Sequence, residues 1–250
     1  MLFRSDKTLT GFAPVDAFVA RIDPKAGTAG LQYSTFIGGN GREYAYGIAV
    51  NKNNGQFYIT GRSHSQGANV TGYVGTSNGF PVTTSTAFQT AQTGFGDVFV
   101  TRFNINGGIV YSTLLGGSDY DTAYGIKVNG ATVYLTGETD STDFPLVGNL
   151  FGNAPGTDAF VVKLDTSIAG VAGLTFSTYF GGGDLDAFDS TDSARAIALA
   201  GAQIYIAGFT NSASTASGGL FPIKPAIPYQ EDLAGGGSGG TDCFVARLTP

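Results

Sequence analysis

Six aspartates stand at short spacings in loops rich in Gly and Ser, and oxygen chemistry is what they could do. Asp119 and Asp121 lie in "GGSDYDTA", Asp140 and Asp143 in "GETDSTDFP", and Asp184 and Asp186 in "GGGDLDAFDSTD". Clustered carboxylates with Gly turns suit Ca²⁺, which takes roughly six to eight oxygen ligands on a flexible frame. Two carboxylates facing each other across a cleft would instead serve glycoside hydrolysis. The spacing matches neither an EF-hand nor the tandem nonapeptide calcium repeat. Aspartates in Gly-rich loops also cap turns through their own backbone, and that is the favoured reading, with Ca²⁺ as the alternative.

Other chemistry is sparse. The one histidine, His64, sits in "GRSHSQG" and reads as an exposed loop residue. Residues 236–240, "GGSGG", match Gly-x-Ser-x-Gly formally, but that motif needs a strand-to-helix turn and no helical pattern follows. No phosphate-binding Gly-Lys-Ser/Thr loop is present. Asn69-Val70-Thr71 is a lone glycosylation sequon. The single cysteine, Cys243, excludes an intramolecular disulfide. Tryptophan, a common sugar-stacking platform, is absent. The net charge of −6 and the lack of a basic patch argue against nucleic acid and anionic membranes as partners. No apolar run is long enough for a membrane-spanning helix. These features point away from an enzyme.

The elements that must position these residues are repeated. An Asp-x-Phe-Val block recurs at Asp16, Asp97, Asp158 and Asp242. "YSTFIGG" at Tyr33 returns as "YSTLLGG" at Tyr111 and "FSTYFGG" at Phe176. "YGIAV" at Tyr46 returns as "YGIKV" at Tyr124 and "ARAIAL" at Ala194. "FYITG" at Phe57 returns as "VYLTG" at Val133 and "IYIAG" at Ile204, and Phe-Pro follows at Phe80, Phe144 and Phe221. Each block reads as a short strand bounded by Gly, Asn or Asp, and helical periodicity is missing. The 39 glycines among 250 residues, roughly double the usual share of about 7%, fit many tight turns. The Asp-x-Phe-Val strands are apolar on both faces, so their sheets must be covered on both sides. Stacked four-stranded blades of a β-propeller satisfy that demand. Gly47, Ala49, Gly125, Ala196 and Ala198 are small, as expected of innermost strands crowding an axis.

The blocks "YSTLLGGSDYDTAYGIKV", "VYLTGETDSTDFP" and "DAFVVKLD" resemble the bacterial SBBP family, named for its seven-bladed β-propeller repeat, and the resemblance runs over residues 16–250. It implies a propeller, usually of exported or surface proteins, and supplies no catalytic residues to carry over. The third copy departs from the pattern, with Ala-Arg-Ala for Tyr-Gly and a longer acidic loop.

With the "YGIAV" block as inner strand A, the chain reads CD, ABCD, ABCD, ABC. This divides it into an extension (1–15), N-terminal strands C and D (16–40), blade 1 (41–118), blade 2 (119–182) and blade 3 without its outer strand (183–250). The expected fold is all-β, a β-propeller with about three blades per chain. Open strand edges template association with another chain, so Tyr33 and Thr35 of one copy are expected beside Phe244 and Val245 of another, in a ring or filament. The recurring Asp16, Asp97, Asp158 and Asp242 are expected to fix the turn into strand C. The pairs Ser34–Thr35, Ser112–Thr113 and Ser177–Thr178 are expected to bond across blades. Residues 1–15 lack the apolar centre of a signal peptide, so an export signal would lie outside this sequence or have been removed. The composition points to an extracellular or cell-surface protein with a structural, adhesive or self-assembly role; a surface glycan or another protein is a possible ligand. With turn capping, calorimetric titration of Ca²⁺ is expected to give no binding heat, and a saturable heat would establish the metal site instead.

Overall fold

The computed structural model describes residues 15–65, 79–153, 156–182, 190–212, 221–223 and 240–250. Among these, the chain forms four antiparallel sheets in sequence order. The first pairs β1 (Ala17–Ile22) with β2 (Leu31–Ile37). The second runs β3 (Glu43–Val50), β4 (Phe57–Ser63), β5 (Asp97–Phe103), β6 (Ile109–Leu115). The third repeats that order as β7 (Asp121–Asn129), β8 (Thr132–Thr139), β9 (Asp158–Asp165), β10 (Leu174–Phe180). The fourth holds β11 (Asp192–Ala200), β12 (Gln203–Thr210) and β13 (Asp242–Leu248). The all-β class and the pairing of the sequence blocks stand as expected.

Two-sided burial governs the packing. Val98, Phe99 and Val100 of β5 are all fully buried, as are Ala159, Phe160 and Val161 of β9. Such strands belong between two covering layers rather than beside water. Three apolar clusters supply the layers. One lies between β1–β2 and the second sheet, with Ala17, Val19 and Ile37 against Phe57 and Phe99. The next joins the second and third sheets through Tyr58, Val100 and Phe160, and the last joins the third and fourth through Val161, Phe180 and Phe244.

The first strands of the sheets lie side by side, β3 against β7 and β7 against β11. A Cβ on Gly47 would stand 2.9 Å from Ile126 Cγ2, and one on Gly125 would stand 3.1 Å from Ile197 Cγ2. The small residues are thus sockets for the isoleucine of the following sheet. Each of these strands also carries a bulge that leaves one residue unpaired: Tyr46, Tyr124 and Arg195. The three side chains stack across the sheets, with ring centroids 5.1 Å apart for Tyr46–Tyr124 and the Arg195 guanidinium 3.7 Å from the Tyr124 centroid. A bulge pushes a carbonyl toward the partner strand, which explains the glycine ending each "FYITG"-type block. A Cβ on Gly61, Gly137 or Gly208 would overlap the carbonyl oxygen of Tyr44, Thr122 or Ser193.

The Ser-Thr pairs do not bond across the sheets in the way expected. Ser112 Oγ bonds Thr101 Oγ1 within its own sheet, and Thr113 Oγ1 accepts from Gln89 N. Thr178 Oγ1 likewise accepts from Leu150 N. Gln89 and Leu150 lie in the long connections before β5 and β9, which run along the outer strands. Leu114 N donates to Gln89 O, and Ser177 N to Val147 O. These connections cover the edges of β6 and β10, which would otherwise template pairing with other chains. Gly137→Ala is expected to destabilise the fold by at least about 2 kcal/mol in denaturant unfolding, as overpacking against backbone does; an unchanged midpoint would contradict the bulge reading.

Candidate functional site

The starts of the first and third strands and the ends of the second and fourth gather on one side of each sheet. Glu43 N donates to Val15 O, Asp121 N to Gly96 O and Asp192 N to Thr157 O, so three short parallel bridges staple each third strand (C) to the next first strand (A). The loop before β7 and the loop after β8 meet there. Asp140 N donates to Tyr120 O, Asp119 N to Ser141 Oγ, and Ser118 N to Asp143 Oδ1.

Beneath that surface a carboxylate pair repeats at every junction. The strand-C acid and the following strand-A acid flank the first glycine of each Gly-Gly: Asp16 and Glu43 at Gly38, Asp97 and Asp121 at Gly116, Asp158 and Asp192 at Gly181. A side chain on that glycine would collide with both carboxylates. The strand-A acid accepts from the second glycine's N–H, at 3.0 Å for Gly39–Glu43 and 2.8 Å for both Gly117–Asp121 and Gly182–Asp192. It also accepts from a serine after the second strand (B): Ser65, Ser141 and Ser212. Asp97, on the other side, accepts from Gln89 Nε2 and Thr93 N.

Burial favours the neutral form of Glu43, Asp97, Asp121 and Asp192. It pushes Asp121 up to about 7, with the Asp97 charge adding to the effect, and Asp97 up to about 6. Glu43 and Asp192 are raised for the same reason, Glu43 with help from the Asp16 charge.

Above the junction of the second and third sheets opens a cleft of about 670 Å³ lined by Gly41, Arg42, Tyr44, Arg62, His64, Tyr120, Thr122, Glu138 and Asp140. Arg62 lies 5.9 Å from the Tyr44 ring centroid and 5.6 Å from that of Tyr120, and its Nη1 reaches Thr122 Oγ1 at 3.3 Å. His64 meets both tyrosine rings edge-on, and its Nδ1 is 2.9 Å from Phe95 O. A carbonyl only accepts, so Nδ1 carries the proton there and Nε2 is the free lone pair of the neutral ring. Burial and the Arg62 charge lower the His64 pKa, which favours the neutral ring. His64 is therefore a half-buried wall of a cleft, not the exposed loop residue expected. Glu138 accepts from Tyr124 OH at 2.6 Å, Ser193 Oγ at 2.7 Å and Arg195 at 3.1 Å. Asp140, raised by burial, accepts from Thr157 Oγ1.

The residues singled out for metal lie as follows. Asp119, Asp140 and Asp143 share the loop surface, and Asp121 is buried under it. Asp143 is held below the usual carboxylate range by the Ser118 amide and hydroxyl. Among the described residues no three His, Cys, Asp or Glu side chains are placed to hold a metal ion. Asp184 and Asp186 lie outside the described residues, as do the sequon and most of "GGSGG". Tyr33 is half-buried and stacks on Phe57 of the neighbouring sheet at 6.0 Å, and Thr35 is half-buried on the same strand. Phe244 is buried beside Phe180 and Phe221, whereas Val245 points to the surface. No helix among the described residues is long and apolar enough to cross a membrane.

Sequence reasoning missed the cleft, yet a signal was there. Aligning "GRSHS", "GETDS" and "GFTNS" puts Arg62, Glu138 and Phe209 at one position and His64, Asp140 and Asn211 at another. Arg42, Tyr120 and Thr191 coincide likewise, as do Tyr44, Thr122 and Ser193. The cleft is lined where the repeats disagree. Comparison with known proteins gives no family model that matches the chain and no curated protein that matches it.

The carboxylate pairs fix a pH dependence. Asp97 and Asp121 bind protons more tightly folded than unfolded, where an aspartate titrates near about 4. Their contribution to stability is full below that value and is lost as pH rises through about 6 and 7. The melting temperature is expected to fall between these limits, and Asp121→Asn to flatten the fall. A rise over the same window would contradict the pairing.

Proposed function

We propose that this chain is a run of β-propeller blades in a non-catalytic, extracellular or surface module with a structural, adhesive or self-assembling role. The observation that carries the reading is the repeated junction: the same sheet recurs, stacked through Gly–Ile sockets on adjacent inner strands. Blades around an axis repeat one junction in this way. The resemblance of the blocks to the SBBP repeat supports the same assignment. Recurrence also speaks against catalysis by the buried acids. A reaction needs its acid and base once, whereas a group placed at every junction answers a structural need. The carboxylate of Glu138 is tied to Arg195, Tyr124 and Ser193, which leaves it poorly free for general acid or base work. Electron microscopy of the native particle is expected to show blades around a common axis with β3, β7 and β11 innermost. An open or barrel-like arrangement would overturn the reading.

A second reading, ligand binding, is favoured by the cleft. Tyrosine rings, a guanidinium and carboxylates in one open cavity offer stacking surface together with donors and acceptors, the combination a saccharide uses. Tyr44 and Tyr120 supply the aromatic surface that the absence of tryptophan argued against. His64 is the one histidine, so its imidazole resonances report on the cleft alone. Short neutral or uronate oligosaccharides are expected to shift them, and Tyr120→Ala to weaken the effect about tenfold or more, as loss of an aromatic anchor does. Unmoved resonances throughout the series would dismiss the saccharide reading.

A further inference from the structure

The repeat gives each position an equivalent in the neighbouring sheets, so exposure can be compared at one position. Phe99 and Phe160 are 0% exposed, and their equivalent on β1, Phe18, is 66% exposed. Ile126 and Ile197 are 6% exposed, and their equivalent on β3, Ile48, is 59% exposed. On the opposite face, Val100 and Val161 are 0% exposed, while Val245 on β13 is 79% exposed.

The Phe18 and Val245 differences have one geometric origin, whereas Ile48 is bare because β1–β2 carries no first strand to face β3. At each internal junction the front of a sheet offers Phe and Ile, and the back of the preceding sheet offers Val and a small inner residue. Phe99 packs in one cluster with Val19, and Phe244 with Val161. Ile126 abuts the Gly47 position and Ile197 the Gly125 position. A basic side chain crosses the junction as well: Arg21 Nη1 donates to Ile105 O, and Arg102 Nη1 to Thr166 Oγ1. Phe18 and Phe36 of β1–β2 form such a front, and no described residue backs it. Val245 and the exposed Arg247 form the matching back, with a cation at the crossing position, and no described residue fronts it.

We propose that a second copy of this chain covers these surfaces head to tail, seating the front of β1–β2 on the back of β11–β13. The inference rests on the stacked-blade reading and names its partner and contact: copies join through sheet faces, continuing the internal junction, instead of adding a strand at an edge. The contact is heterologous, so it closes a ring or runs on as a filament.

Phe18→Asp and Val245→Asp test it, because both side chains are exposed and their replacement leaves the backbone edges intact. By analytical ultracentrifugation from micromolar to millimolar concentration, the wild type is expected to exceed the 25.7 kDa monomer. Each variant alone is expected to sediment as the monomer. The two mixed are expected to form a one-to-one dimer and nothing larger, since only one front and one back remain. Unchanged association in both variants would assign assembly to strand edges and overturn the proposal. Loss of association in one variant alone would mean like-with-like pairing and overturn it too, as would a monomeric wild type. Ile126→Asp serves as the control for the stacked-blade reading, since Ile126 is buried at an internal junction. If it leaves the melting temperature unchanged, that reading fails; if it lowers it while the surface variants change nothing, only the present proposal fails.

Discussion

A sheet apolar on both faces must be covered on both faces, and the rest of this structure follows from that constraint. The Asp-x-Phe-Val strands leave no wet side, so every sheet needs a neighbour in front and behind. At roughly 25 cal/mol per Å² of apolar surface, one junction phenylalanine contributes more stabilisation than an exposed ion pair does. Face-to-face stacking then crowds the first strands together. Crowding explains the small residues at 47 and 125, and the bulges explain the glycines at 61, 137 and 208.

Stacking also decides where polar chemistry can be. Apolar clusters fill the spaces between the sheets, so these polar groups collect at the sheet end where the first and third strands begin and the second ends. Each junction accepts the cost of burying two acids beside one glycine. Hydroxyls and amides offset much of it: Ser63 and Ser65 hold Glu43, and Thr139, Ser141 and Gly117 hold Asp121. One strand-A carboxylate thereby ties together the Gly-Gly turn before it and the serine after the next strand. That geometry fixes how the loops leave the sheet and so shapes the cleft above.

Much of the architecture was legible because repetition separates what is structural from what is incidental. Strand identity, the order A-B-C-D and the small residues of the first strands could be read from aligned blocks. The carboxylate pairs could not. Asp97 and Asp121 are far apart in the sequence and belong to different blocks, and only the staple between Gly96 and Tyr120 brings them together. The recurrence of Asp16, Asp97, Asp158 and Asp242 is plain in the sequence, but the acid opposite each is not. Asp121 was grouped with the surface residues Asp119 and Asp143 because spacing along a loop does not reveal which side chain turns inward. His64 was misjudged for a related reason. Its neighbours Tyr44 and Tyr120 come from other blocks, and composition cannot show that three distant segments form one wall. The usable signal was disagreement between otherwise matching repeats, which marks Arg62, His64, Glu138 and Asp140 as free of the structural pattern.

The central claim is that the sheets are locked into one stack by backbone bridges between successive sheets. Amide hydrogen exchange tests it at single residues. The N–H groups of Glu43, Asp121 and Asp192 donate to carbonyls of another sheet. The account predicts that they exchange as slowly as the central strands β4 and β8, opening only when the stack does. Exchange of these three amides at loop rates, with β4 and β8 still protected, would contradict it.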